Sequence, residues 1–143
     1  MDHRNIDPTA EPTIELTIPS HPRFLRLVRG MMTKVTQILS VPPEAADYII
    51  LAVDEACSNI IRHSYMGNAD AKIEFLIITG EKRVEISIMD YGKPWIPMRL
   101  PPGKPSEIKP GGLGLYIIHQ VMDQVNYHRS DKGKNTISMV KDL

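Results

Sequence analysis

The chain has 143 residues, 42% of them hydrophobic, and its 17 basic residues balance 17 acidic ones. This length suits one globular domain. A net charge of zero argues against a nucleic-acid-binding protein, which usually carries a basic excess. No apolar run approaches the roughly 18 residues of a membrane span, and the first residues do not resemble a signal peptide. Together with a single cysteine, these features predict a cytoplasmic protein without direct nucleic-acid or membrane contact.

The chain opens with a polar segment and a predicted strand. Residues 1–12 contain two prolines, so we expect a flexible tail before a single domain at residues 13–143. In TIELTI, residues 13–18, apolar or β-branched side chains alternate with polar ones, which is typical of a strand.

Two helices should follow this strand. The first begins near SHPRF, with Ser20 as its N-cap and Pro22 in its first turn. Its apolar positions follow helical spacing: Phe24, Leu27, Val28, Met31, Met32, Val35, Ile38 and Leu39. The second helix should run from about residue 44 to residue 65. Its apolar stripe comprises Ala46, Ile49, Ile50, Val53, Ala56, Cys57 and Ile60.

The rest of the chain predicts a hairpin, a long loop, a third helix and a closing strand pair. KIEFLIIT (72–79) and RVEISIMD (83–90) form the hairpin, and a Pro/Gly-rich loop at about 93–112 is a candidate lid. A helix at 113–125 precedes the strands QVNYHR and NTISMVK. This order predicts a two-layer α+β sandwich, with the helices on one face of a mixed, mainly antiparallel sheet.

The stretch LAVDEACSNIIRHS places a carboxylate and a carboxamide together. Glu55 and Asn59 are four residues apart in the second helix, so both side chains serve one face, away from the apolar stripe. A solvated helix face is the simplest alternative. Asparagine is a poor helix former, which costs roughly a few tenths of a kcal/mol and mildly favours a functional role.

Two glycine-containing motifs downstream are weak signals when each is taken alone. DYG, residues 90–92, ends a predicted strand, so Asp90 can accept a hydrogen bond where Gly92 admits a ligand; an ordinary turn uses the same residues. PGGLGLYII, residues 110–118, places glycines before a helix, where backbone N–H groups and the helix dipole favour an anion. It is neither a dinucleotide fingerprint nor a Walker A loop, and a flexible hinge is the alternative.

In this order the three motifs resemble the GHKL-type ATP-binding fold, which histidine kinases and gyrase-like ATPases share. The narrower resemblance is to the bacterial anti-sigma factor serine kinases of the RsbW and SpoIIAB type. It rests on LAVDEACSNIIRHSY, DYGKPW, GGLGLYIIHQVMD and YHRSDKGKNTISMVK, and it covers about residues 13–141.

The resemblance implies a role for each motif residue. Asn59 would bind the Mg²⁺ that bridges the phosphates of ATP, and Glu55 would be the catalytic base or position the attacking hydroxyl. Asp90 would bind the adenine amino group, with Gly92 close to the base. The remaining nucleotide-binding positions implied are Gly112 and Gly114 against the phosphates and Thr136 beside adenine.

Lysines of the loop are further candidates for phosphate contact. Lys109 is assigned to the nucleotide site and Lys104 is a second candidate, with solvated side chains as the alternative. The family often has a basic residue just before Gly-Leu-Gly-Leu, where this chain has Gly111, so the cation that meets the γ-phosphate stays open. His63 matches a frequent family histidine and is interpreted as structural or site-bordering.

The resemblance implies a regulatory serine/threonine kinase that uses ATP and Mg²⁺ and releases ADP. Its substrate would be a STAS-domain anti-anti-sigma factor, and it would switch to a sigma factor or another regulator in transcription or stress response. The family commonly forms homodimers, and the exposed face of the first helix is a candidate contact.

Two alternatives to this kinase are open. The first is a non-catalytic module that binds nucleotide and sequesters a partner. The second, a histidine-kinase-type ATPase domain, is disfavoured because only some 20 residues precede the first helix, too few for a phosphoacceptor hairpin.

Overall fold

The computed structural model describes residues 13–94 and 113–143. Its strands are β1 (Thr13–Pro19), β2 (Lys72–Thr79), β3 (Arg83–Asp90), β4 (Gln124–Arg129) and β5 (Asn135–Asp142). Its α-helices are α1 (Leu25–Ile38), α2 (Pro43–Asn59) and α3 (Leu113–Val121). A 3₁₀ turn, Pro22–Phe24, precedes α1, and a π-helical segment, Ile60–Ser64, continues α2. The predicted tail, most of the predicted lid, Lys104, Lys109 and Gly112 lie outside the described residues.

The sheet has the strand order β1-β2-β3-β5-β4. The predicted α+β class is confirmed, and every pairing among the described strands is antiparallel rather than mixed. The hairpin of β2 and β3 has the predicted bounds. Buried and more exposed side chains alternate throughout β2, and in β3 they alternate up to Ile88, after which Met89 and Asp90 are both buried. Asn135 of β5 lies opposite Asp90 of β3 on one side and Arg129 of β4 on the other.

The core lies between one sheet face and the helices. Alternate residues of the central strands supply its sheet side, including Ile73, Phe75, Ile77, Ile86 and Ile88, all at most 2% exposed. Burying each such side chain contributes about 1.5–3 kcal/mol relative to exposure. Helix α2 packs against both α1 and α3, so it is buried on two sides. None of the described helices has the length and apolar character needed to cross a bilayer.

The start of α1 differs from the prediction. His21, not Ser20, caps the first turn, because its Nδ1 accepts a hydrogen bond from the backbone N–H of Arg23 at 3.1 Å. The Ser20 backbone N–H instead bonds the carbonyl oxygen of Ala71 beside the sheet.

Two residues assigned to the apolar stripe of the first helix are not buried. Leu27 and Ile38 are 53% and 80% exposed.

The end of α3 also differs from the prediction. The helix stops at Val121 rather than at residue 125. The backbone N–H of Asp123 bonds the carbonyl oxygen of Val140, and Gln124 and Val125 pair with β5. Residues 124 and 125 therefore pair with the sheet and do not continue the helix.

Candidate functional site

Asn59 ends α2 in a buried position. Its side chain is 1% exposed, and neither Oδ1 nor Nδ2 has a hydrogen-bond partner within the described part of the chain. The alternative of a solvated helix face is therefore wrong for this residue, because α3 packs against that side of α2. A buried amide left unpaired costs about 1–3 kcal/mol. Such a group suits a site whose ligand completes its hydrogen bonding or coordination.

The first turn of α3 lies directly against Glu55 and Asn59. A Cβ atom at Gly114 would stand 2.6 Å from Oε2 of Glu55 and 3.5 and 3.6 Å from Nδ2 and Oδ1 of Asn59. Only glycine allows this approach without displacing the carboxylate. Three of the predicted site residues are thus brought together at the N-terminal end of a helix, where the dipole favours negatively charged ligands.

Asp90 is the centre of a second polar cluster. Its side chain is 1% exposed. Its Oδ1 accepts hydrogen bonds from the Ser64 hydroxyl, from the backbone N–H of Gly92 at 2.9 Å and from Nδ2 of Asn135 at 2.9 Å. The bond to Gly92 is the local turn that the sequence also allowed. An ordinary exposed turn needs neither burial nor donors from distant side chains. The burial of Asp90 and its bonds from Ser64 and Asn135 therefore indicate a functional site as well as a turn.

Gly92 is required by close packing. A Cβ atom there would lie 2.6 Å from the carbonyl carbon of Ser64 and would also meet its carbonyl oxygen and its hydroxyl. The residue was predicted to admit a ligand, and what occupies the space beside it is the end of the π segment. Because the backbone of Gly92 packs against the backbone of Ser64, a larger residue at position 92 could not be accommodated by moving a flexible side chain.

Thr136 lies on the face of the sheet opposite to that of Asp90 and Asn135. Side chains alternate along β5, and Thr136 pairs with Met89 while Asn135 pairs with Asp90. Asn135 is 2% exposed on the helix side of the sheet, so Thr136 lies on the opposite face. Asn135, and not Thr136, therefore lies beside Asp90.

Sequence reasoning missed four residues of this cluster: Ser64, Tyr65, Arg129 and Asn135. The Tyr65 hydroxyl donates to the carbonyl oxygen of Lys72 at 2.6 Å and accepts from the backbone N–H of Tyr91 at 2.8 Å. It thereby holds the turn that follows Asp90, and partial burial raises its pKa. The alternation of side chains along β5 could have identified Asn135, because it puts this residue on the same face of the sheet as Asp90. His63, by contrast, is exposed.

The π segment joins the two clusters. Asn59 is the last residue of α2 and Ser64 the last of the segment, five residues further on. π-helical turns often occur at functional sites. One helical run therefore presents a polar side chain to each cluster.

Residues 18–141 match the family model described as a histidine kinase-like ATPase domain. The chain belongs to this family. The chain is also similar to curated proteins named serine-protein kinase RsbW. The one from Halalkalibacterium halodurans is 32% identical, over 85% of this chain and 78% of that protein. The one from Bacillus velezensis is 29% identical, over 91% and 85%. The resemblance read from the motifs is confirmed: the chain is a protein serine/threonine kinase of the RsbW type, and nucleotide is its ligand class.

A solved structure shows the same fold. Part of a solved structure that contains the RsbU and RsbW domains of a Mycobacterium tuberculosis protein superposes on this domain with a TM-score of 0.65, over 91% of this chain. At 15% identity the likeness concerns the fold alone, and the chain spans 31% of that longer protein.

Glu55 also borders a cleft of the histidine kinase-like ATPase domain. This cleft has a volume of about 300 Å³ and is lined by Pro22, Leu25, Glu55, Ser58, Ile61 and Arg62. The Glu55 carboxylate thus lies between the first turn of α3 and an opening at the start of α1. A protein side chain could reach the carboxylate from this opening.

Proposed function

We propose that the chain transfers the γ-phosphoryl group of ATP to a serine or threonine of a STAS-domain anti-anti-sigma factor, and that it otherwise binds a sigma factor or another regulator. The observation that carries the proposal is the buried Asn59 amide beside Glu55 and Gly114, which has no hydrogen-bond partner among residues 13–94 and 113–143. The RsbW relatives supply the class of reaction.

The residues around Asn59 fit a magnesium ion. Its buried Oδ1 is a neutral oxygen donor, the ligand type that Mg²⁺ accepts together with waters and phosphate oxygens. When bound, Mg²⁺ would neutralise charge on the phosphates. The chain's own contribution is to hold this oxygen in place at the end of α2, next to the dipole of α3, where Gly114 lets the first turn of α3 approach Glu55 and Asn59 closely. Gly112 and Lys109 are proposed to add phosphate contacts.

Glu55 is proposed to accept the proton of the substrate hydroxyl. The hydroxyl oxygen forms a bond to the γ-phosphorus, the bond from that phosphorus to the β,γ-bridging oxygen breaks, and its electron pair leaves with ADP. A hydroxyl attacks poorly while it keeps its proton, so a positioned carboxylate contributes about 10²- to 10⁴-fold. The cleft beside Glu55 gives the substrate segment a route to it.

Asp90 is proposed to bind the base. Its Oδ1 is engaged by the three donors described above, and Oδ2 takes no part in those bonds. A carboxylate only accepts hydrogen bonds when ionised. The 6-amino group of adenine is a donor and therefore suits Oδ2.

The exposed face of α1 supports a protein partner. Arg26 and Lys34 are exposed there beside Leu27 and Ile38, and α1 contains no acidic residue. Two copies meeting through this face would set cation against cation, so the face suits an acidic partner better than a second copy. A homodimer, which we also propose, would use another surface. Lys34→Glu should weaken partner binding and leave ATP binding unchanged.

The proposal is tested by incubating the chain with radiolabelled ATP, Mg²⁺ and STAS-domain proteins from the same cell. We expect a labelled phosphoserine or phosphothreonine, and Glu55→Gln should lower the rate at least about 100-fold while ATP still binds. Asp47→Asn, an exposed carboxylate two turns earlier in α2, is the matched control and should retain full transfer.

Two results would contradict the proposal. If the wild-type chain binds ATP but transfers no phosphate to any such protein, it acts as a sequestering module. If Glu55→Gln transfers phosphate at the wild-type rate, another group takes the proton.

A further inference from the structure

The Asn135 amide connects Asp90 to Arg129 across three strands. Its Nδ2 donates to Asp90 Oδ1 at 2.9 Å and to the carbonyl oxygen of Lys93 at 3.1 Å. Its Oδ1 accepts from Nη1 of Arg129 at 2.7 Å. The three residues face one another in the registers of β3, β5 and β4, so the row is built into the sheet.

Arg129, together with Asp90 Oδ1 and the carbonyl oxygen of Lys93, fixes which way the Asn135 amide points. A guanidinium group carries only donors, so the amide atom that faces it has to be the oxygen. The NH₂ group then faces Asp90 and cannot exchange places with the oxygen. Arg129 also donates to the carbonyl oxygen of Gly92 at 3.2 Å, which fixes the guanidinium against the turn after Asp90.

The fixed amide orients the Asp90 carboxylate. Three donors converge on Oδ1, from Ser64, Gly92 and Asn135. A carboxylate held by three bonds at one oxygen resists rotation, so Oδ2 keeps a constant direction. A ligand that meets Oδ2 has to bring a donor, because two acceptors repel each other.

We propose that Arg129 and Asn135 are positioning residues that set the base selectivity of the nucleotide site. They keep Asp90 aimed as an acceptor, which admits a purine with an amino group at position 6 and rejects one with a carbonyl oxygen there. The inference rests on the proposed role of Asp90 in binding the base. Without the guanidinium, Asn135 Oδ1 and the carbonyl oxygen of Gly92 both lose a donor. The amide and the turn after Asp90 are then anchored less firmly, so the direction of the carboxylate is held less tightly.

The test compares the affinities for ATP and ITP, which differ at position 6 and its neighbouring ring nitrogen, by titration calorimetry on the full chain with Mg²⁺. The wild type should prefer ATP at least about 100-fold, because a site built for a donor leaves its acceptor unpaired with the analogue. Arg129→Met keeps the apolar stem and should reduce this preference at least about tenfold. Arg129→Lys restores a donor to Asn135 and should stay within about threefold of the wild type.

The control is Arg83→Met, which removes an exposed arginine at the far end of β3 from Asp90 and should leave the preference unchanged. If Arg129→Met lowers the affinities for ATP and ITP by the same factor, Arg129 has only a structural role and the inference is wrong while the proposed function stands. If the wild type itself binds ATP and ITP equally, the assignment of Asp90 to the base fails.

Discussion

Replacing Asn59 with leucine separates stability from function in one substitution. Leucine has the same branched shape as asparagine but no polar atoms. Because Oδ1 and Nδ2 of Asn59 are buried without partners in the described structure, their removal relieves a penalty of about 1–3 kcal/mol. For a domain of this size, 1 kcal/mol corresponds to about 3 °C in Tm. The nucleotide-free Asn59→Leu protein should therefore melt about 3–9 °C above the wild type.

The same substitution should abolish the response to nucleotide. Ligand at a hundred times its Kd stabilises a protein by about 2.7 kcal/mol, or about 8 °C here. The wild type should show this rise with Mg²⁺ and ATP, and Asn59→Leu should show less than a quarter of it. The assay is calorimetric unfolding of both proteins, with and without Mg²⁺-ATP.

Asn135→Leu is the matched comparison for the nucleotide-free proteins. Asn135 is as deeply buried as Asn59, but its amide bonds Asp90, Lys93 and Arg129. Its loss should lower stability by about 2 kcal/mol or more. The reasoning is refuted if both leucine variants lower Tm to a similar extent, or if Asn59→Leu keeps the full response to Mg²⁺-ATP.

Three further substitutions test other parts of the fold by urea unfolding. Gly92→Ala should lower the free energy of unfolding by about 3 kcal/mol, because its Cβ would meet the backbone of Ser64. Gly30→Ala, on the open face of α1, should raise it by about 0.5–1 kcal/mol, and equal effects of the two substitutions would contradict the role of packing at Gly92. Tyr65→Phe removes two hydrogen bonds to the backbone and should cost about 1–2 kcal/mol; an unchanged midpoint would show that the turn after Asp90 does not need them. Burial lowers the pKa of His119, so stability is highest above about pH 6.5 and falls as the unfolded chain takes up protons below it; His119→Gln should flatten this dependence, and an equally steep loss would assign it to other groups.

Strand patterns were the most informative part of the sequence. The alternation in β2 and β3 set both strands residue for residue, because one face of each is buried. Helical periodicity predicted that Glu55 and Asn59 share a face. It could not show that this face is buried, since that depends on where α3 packs.

The base end of the site was harder to predict. Asp90 was found as a strand-end carboxylate, but its side-chain partners come from β5 and the π segment, and Arg129 of β4 holds the Asn135 partner in turn. Their contact depends on the β3–β5 register, which also moves Thr136 to the other face. A register shift of one residue moves every side chain of a strand to the other face of the sheet. An error of one residue in β5 therefore puts a threonine beside Asp90 in place of an asparagine.

The π segment makes the spacing of the site intolerant of insertions and deletions. One residue added or removed between Asn59 and Ser64 would rotate one of them about the helix axis relative to the other. Either the amide would leave the first turn of α3 or the hydroxyl would leave Asp90. The hairpin turn at residues 80–82, at the opposite end of β3, carries no such constraint, so length changes in descendants of this chain should accumulate there and be absent between Asn59 and Ser64.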